Sequence, residues 1–225
     1  MAKRGVDTVL FDLDGTICTY RRPGEEVLAI AFDAVGVEPF FTEAAYQAKI
    51  GTLQEWKDSY DEYRAECFAS LANDAGVDES LGRAVAAAYA EERDQRDVRF
   101  LDGADEALET LVNHYPLALV TNGGPDIQRP KLESLGIEDI FETIVFAGYD
   151  TPAKPDPEPF HRALGAVNSV ASQAVYIGNS LAHDVAGARA AGLRSVWIDN
   201  GTDPDPTPDH IIASPADLAT PPWEV

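Results

Sequence analysis

Short apolar runs of strand length, each breaking into polar turn residues and then into a helical pattern, constrain this chain more than any other feature. Four of them read as buried parallel strands: Val6 to Phe11, Leu117 to Val120, Ala174 to Ile177 and Ser195 to Ile198. A weaker fifth, Thr143 to Ala147, falls between the second and third. Helical stretches intervene at Ala104 to Asn113, Ile127 to Leu135, Pro157 to Leu164 and His183 to Ala191. Gly136 and Gly192 stand where two of these helices should stop. Strand alternating with helix is the sequence form of an α/β fold with a doubly wound parallel sheet.

One region breaks the rhythm. From about Arg21 to Arg96 the patterning is amphipathic and helical, with many acids and aromatics and no convincing strand. Gly36, Gly51 and Gly76 punctuate it into four helices. Pro23-Gly24 precedes the region and Phe100-Leu101-Asp102-Gly103 closes it as a second turn. The chain therefore reads as a core, residues 1–19 and 98–225, with an α-helical domain, residues 20–97, inserted after the first strand. Trp56, Tyr60, Tyr63 and Phe68 recur there at helical spacing, which is first of all a packing stripe. Thr202 to Pro208, rich in Pro and Asp, reads as a loop.

Charge narrows the partners. Over 225 residues, 39 Asp and Glu stand against 17 Lys and Arg, a net charge of −22. The acids are spread along the chain, so the acidity belongs to a folded surface that repels nucleic acid and anionic membranes. Five residues are lysine and twelve are arginine. That bias matches cytosolic proteins of salt-accumulating halophiles, with an acidic mesophilic protein as the plainer alternative. No run approaches the ~18 apolar residues of a membrane helix. Lys3 and Arg4 lead only to Asp7 and a short apolar stretch, Val9 to Phe11, unlike a secretory signal. The expectation is a soluble, cytoplasmic protein. Cys18 and Cys67 are far apart, without zinc spacing, and read as reduced structural thiols.

The chemistry gathers past the strand ends. The first strand runs into Asp12-Leu13-Asp14-Gly15-Thr16, where an open parallel sheet binds its ligands. Alone, such a stretch is an ordinary turn, but two neighbouring carboxylates repel, and a cation would relieve them. The second strand ends in Thr121-Asn122-Gly123-Gly124 before a helix, where main-chain N–H groups and a Thr hydroxyl suit an anion. Lys154 lies in the proline frame Ala153-Lys154-Pro155-Asp156-Pro157 and could neutralise a phosphoryl group. Past the third strand come Gly178-Asn179-Ser180 and then Asp184, an acid also favoured simply by a helix start. His183 beside it is assigned no role.

Taken together, Asp12 to Thr16, Thr121-Asn122, Lys154-Pro155 and Gly178 to Asp184 resemble the four motifs of the haloacid dehalogenase-like hydrolase superfamily. The resemblance spans nearly the whole chain and implies a Rossmann-like core whose helical insertion is a cap that closes over substrate. It implies a Mg²⁺-dependent phosphatase for a small soluble phosphate such as phosphoglycolate, a sugar phosphate or a nucleotide. Asp12 is then the nucleophile and Asp14 the general acid and base. Thr121, the N–H groups near Asn122 and Gly123, and Lys154 hold the phosphoryl oxygens. Mg²⁺ falls to Asp12, the Asp14 carbonyl, Asn179 and Asp184.

Branches of the superfamily separate by residue. Asp14 argues against a haloacid dehalogenase, and Thr16, where phosphomutases usually carry Val, favours a phosphatase. Lys49 and Lys57 lack the context of a phosphonate-cleaving Schiff-base lysine. Asn179 departs from the usual Gly-Asp of the fourth motif, which removes a negative charge and predicts weaker metal binding. A phosphate-binding or regulatory protein of weak activity, and a phosphotransferase, stand as alternatives.

If the acidic surface is a halophilic adaptation, the thermal unfolding midpoint should rise between 0.1 and about 2 M KCl as the surface carboxylates are screened. Circular dichroism melts in KCl check this; a midpoint that falls with salt contradicts it.

Overall fold

In the computed structural model, residues 5–50 and 59–224 are described; Lys3, Arg4, Gly51, Trp56 and Lys57 lie outside the described residues. The elements begin with β1 (Thr8–Phe11), β2 (Cys18–Tyr20), α1 (Gly24–Val35), α2 (Glu43–Lys49), α3 (Tyr60–Asp74) and α4 (Glu79–Glu92). They continue with β3 (Val98–Phe100), α5 (Ala104–Leu111), β4 (Leu117–Asn122), α6 (Pro125–Leu135) and β5 (Thr143–Ala147). The last are α7 (Glu158–Ala166), β6 (Ala174–Gly178), α8 (Ala186–Ala191), β7 (Arg194–Ile198) and β8 (His210–Ile212). Two compact units result: Met1–Thr19 with Val98–Val225, and Tyr20–Asp97.

The first unit is a six-stranded parallel sheet in the order β5-β4-β1-β6-β7-β8. Side chains alternate across it. Val9, Phe11, Leu117, Leu119, Val175 and Ile177 pack into one apolar cluster, and Leu10, Ala118, Val120, Ala174 and Tyr176 into another. Both faces are covered, which is why these strands read as continuous apolar runs. β1 lies between β4 and β6, with Leu10 opposite Ala118 on one side and Tyr176 on the other. After β1, the chain builds the sheet outward on one side through β4 and β5. It then returns to β6 on the other side, and such a reversal opens a crevice at the carboxyl ends of the strands.

The doubly wound α/β reading of the sequence holds, and three strands were not foreseen. β8 extends the sheet, pairing Trp197 with Ile211, while β2 and β3 form a separate two-stranded sheet. Each is three residues long, too short for alternation to register.

The second unit holds α1 to α4. The starts of α2, α3 and α4 carry side-chain caps: Thr42 accepts from the Ala45 N–H, Ser59 from that of Glu62, and Asp78 from that of Ser80. Gly36 ends α1 in the left-handed conformation. Tyr63 and Phe68 are buried with Phe32, Phe41, Tyr46 and Tyr89, and Tyr60 packs against them. Rings meet edge to face, as Phe41 and Phe68 do at 4.8 Å. The described part of the aromatic stripe is therefore core. Both cysteines are free and buried. Among the described residues, no helix is long and apolar enough to cross a membrane.

Candidate active site

Asp12 follows β1 directly and is 7% exposed. Its main-chain N–H still donates to the Ile177 carbonyl of β6 at 2.9 Å, so the carboxylate leaves the sheet at a fixed point. The chain then turns sharply: the Leu13 carbonyl accepts from the N–H groups of Thr16, Ile17 and Cys18. Gly15 makes this possible, with φ +75° and an absent Cβ that would lie 2.4 Å from the Asn179 amide nitrogen.

Lys154 is the centre of the cluster. Its Nζ, buried with the rest of the side chain, lies 2.8 Å from Asp12 Oδ1, 2.7 Å from Asp184 Oδ1 and 2.7 Å from the Tyr176 hydroxyl. The Tyr176 hydroxyl in turn donates to the Val120 carbonyl at 2.7 Å. The ammonium also lies 3.1 Å from the Val120 carbonyl, so its three hydrogens serve four acceptors, all within the site. Asn122 fixes the lysine from behind: its Oδ1 accepts from the Lys154 N–H at 2.9 Å and its Nδ2 donates to the Lys154 carbonyl at 3.2 Å.

Two carboxylates share this one ammonium, and the electrostatics follow. Burial first, opposed by Lys154 but reinforced by Asp184 and Asp14, pushes the Asp12 carboxyl up to about 7. Burial depresses the Lys154 ammonium, but Asp12 and Asp184 more than reverse this, so its pKa is raised and it stays charged. Burial and the same two carboxylates hold Tyr176 well above its ordinary value, as a phenol able to donate.

Thr121, at the end of β4, is buried, and its Oγ1 accepts from Gln128 Nε2 at 3.1 Å, leaving its own hydrogen to give. The Gly123 N–H does not match the anion-donor expectation, because it is spent on the Ala147 carbonyl at 3.0 Å. The Asn122 side chain likewise serves the Lys154 segment. Asp184, expected on a metal, has both oxygens engaged within the site. Its Oδ1 is bonded to Lys154 and its Oδ2 accepts from the Ser180 N–H at 2.9 Å, so it orients the lysine. The absent Cβ of Gly178 makes room for that carboxyl, 2.4 Å from its Cγ.

The donor set suits Mg²⁺ all the same. An Asp12 oxygen, the Asp14 carbonyl and the Asn179 amide oxygen are all hard oxygens of the kind Mg²⁺ takes alongside water and substrate phosphate. Asn179 lies against the turn that carries Asp14, its amide beside Gly15 and its Oδ1 3.4 Å from Thr16 Oγ1, with its carbonyl accepting from Trp197 Nε1 at 3.0 Å. Among the described residues, no three His, Cys, Asp or Glu side chains gather into a metal cluster.

Three functional-looking residues escaped the sequence reading. Lys131 Nζ is 2.7 Å from both Asp14 oxygens, Gln128 Nε2 is 3.0 Å from Asp14 Oδ2, and Tyr176 braces Lys154. Tyr176 sits inside an apolar run, and the other two occupy polar positions of an ordinary helix. The one available signal was the scarcity of lysine.

The model of the haloacid dehalogenase-like hydrolases matches residues 6–192. The chain is 35% identical over 150 residues to a phosphoserine phosphatase of Thermus thermophilus, covering 65% of this chain and 60% of that one. It is 30% identical over 214 residues to a ribulose-1,5-bisphosphate 5-phosphatase of Halopiger xanaduensis, covering 88% and 87%. Against three of its curated relatives the chain spans between 37% and 60% of their length. A solved structure of a predicted phosphoglycolate phosphatase from Haemophilus somnus shares the fold, with a TM-score of 0.76 at 24% identity over 95% of this chain and 96% of that one.

A carboxyl whose folded pKa lies above its unfolded value stabilises the fold below the unfolded pKa. That stability is lost as pH rises through the folded value, here about 7. In EDTA, Asp12→Asn should therefore gain on the parent as pH rises. Its advantage in stability over the parent should grow by about 2 kcal/mol between pH 5 and pH 8. Melts at the two pH values check this; a difference independent of pH contradicts it.

Proposed function

Because the chain belongs to the haloacid dehalogenase-like hydrolase family, we propose that it hydrolyses phosphoric monoesters of small molecules, with Asp12 as nucleophile and Mg²⁺ as cofactor. The observation that carries this reading is the buried Lys154 ammonium bonded to Asp12 at the carboxyl end of the central strand. It gives one cation beside one oriented carboxylate, where a phosphoryl group needs both. The phosphoserine and ribulose-bisphosphate phosphatases that the chain resembles support the small-phosphate class. The helical unit, Tyr20–Asp97, is the part we take as the family's cap.

With Oδ1 of Asp12 held by Lys154, its other oxygen attacks phosphorus. The new bond forms as the bond from phosphorus to the leaving oxygen breaks, and that oxygen takes a proton from Asp14. Water then attacks the aspartyl-phosphate and gives a proton back to Asp14, while the bond between phosphorus and Asp12 breaks. Inorganic phosphate leaves and both carboxyls return to their starting states. The Thr121 hydroxyl holds a phosphoryl oxygen during both displacements, while the Lys154 charge acts on the phosphoryl group through the Asp12 oxygen it binds. Mg²⁺, held by an Asp12 oxygen, the Asp14 carbonyl and Asn179, would supply charge neutralisation at the phosphoryl group.

The test is phosphate release from p-nitrophenyl phosphate and a panel of small phosphate esters, with Mg²⁺ or EDTA. Turnover should require Mg²⁺ and fall at least about 1,000-fold in Asp12→Asn. Calorimetric titration of the metal should show tighter Mg²⁺ binding in Asn179→Asp, which restores a carboxylate. Phosphate binding with no turnover on any ester, in the parent and in Asn179→Asp alike, would instead favour a binding protein.

A further inference from the structure

Lys131 and Gln128 take no part in the steps above, yet both are 2% exposed and both end on Asp14. Three residues apart on α6, they share one helix face. That helix starts immediately after the Thr121 turn. The Asp14 side chain is 40% exposed and sits on a turn. The ammonium lies 2.7 Å from each of its oxygens, which fixes the plane of the carboxyl group and not merely its distance. A buried ammonium is tolerated only with such a partner.

Gln128 extends the same control to the phosphoryl side. Its Nε2 lies 3.0 Å from Asp14 Oδ2, 3.1 Å from Thr121 Oγ1 and 2.9 Å from the Asn122 carbonyl. One amide thus spans the carboxyl that moves the proton and the hydroxyl that faces a phosphoryl oxygen. α6 sets the spacing between them.

We propose that Lys131, seconded by Gln128, is a positioning residue that holds the Asp14 carboxyl where it meets the leaving oxygen and then the attacking water. This rests on the phosphatase reading above. Its signature is a dependence on the leaving group. A p-nitrophenolate departs without needing a proton, whereas an alkoxide needs one as its bond to phosphorus breaks, so misplacing Asp14 harms alkyl esters selectively.

The experiment compares kcat for p-nitrophenyl phosphate and β-glycerophosphate in the full-length protein with Mg²⁺, for the parent, Lys131→Met, Lys131→Arg and Asp12→Asn. Lys131→Met should lose about 100-fold on β-glycerophosphate and no more than about tenfold on p-nitrophenyl phosphate. Lys131→Arg, which keeps a cation able to grip both oxygens, should restore most of that ratio. Equal losses on the two esters, as a damaged fold would give, or no loss on either, overturn the proposal alone. A parent silent on both esters, or an Asp12→Asn variant as active as the parent, overturns the phosphatase reading and this proposal with it.

Discussion

The Lys154 ammonium, 2.8 Å from Asp12 and 2.7 Å from Asp184, is what allows two carboxylates to be buried together at the end of a parallel sheet. Without it, each would carry the full cost of leaving water, and the strand ends could not hold charge at all. Its own position is fixed by the Asn122 amide, the Tyr176 hydroxyl and Asp184, so it is set before any phosphoryl group arrives. Two carboxylates per ammonium leave the cluster one negative charge in excess. Burial first, with that excess adding to it, pushes the Asp12 carboxyl up to about 7, and the excess is a standing attraction for a second cation.

The sheet makes the cluster affordable by placing its members separately. β1 delivers Asp12, β4 delivers Thr121 and Asn122, β6 delivers Tyr176, and the turn after β6 delivers Asp184. Each strand is anchored by apolar side chains on both faces, so the polar ends are held by packing they do not share. A second ion pair, Lys131 with Asp14, stands apart from the first and has a more exposed carboxylate. A buried, oriented carboxylate for attack and a more exposed one for proton transfer suit the two roles proposed for them.

The sequence was legible where function follows the strand period. Asp12, Thr121 and Asn179 each stand at the end of an apolar run, where polar residues are conspicuous, and Lys154 stood out as a scarce lysine in a proline frame. Residues whose role depends on direction were not legible. Asn122 and Gly123 share one turn, yet the amide of one grips the Lys154 segment and the N–H of the other closes on Ala147. Asp184 was visible as an acid at a helix start, but not as the partner of a lysine thirty residues earlier. Lys131 and Gln128 act from the inner face of a helix, where spacing alone cannot separate a site residue from a solvated one. The strands β2, β3 and β8 were lost because three residues carry no readable period.

In the proposed reaction the phosphoryl group passes first to Asp12, and the direct measurement is to trap it there. A labelled phosphate ester mixed with the Mg²⁺-loaded protein, quenched within milliseconds, reduced with borohydride and mapped by mass spectrometry, should show the modified side chain at Asp12. A reduced side chain at any other residue, or turnover with no covalent species at any quench time, would contradict the account.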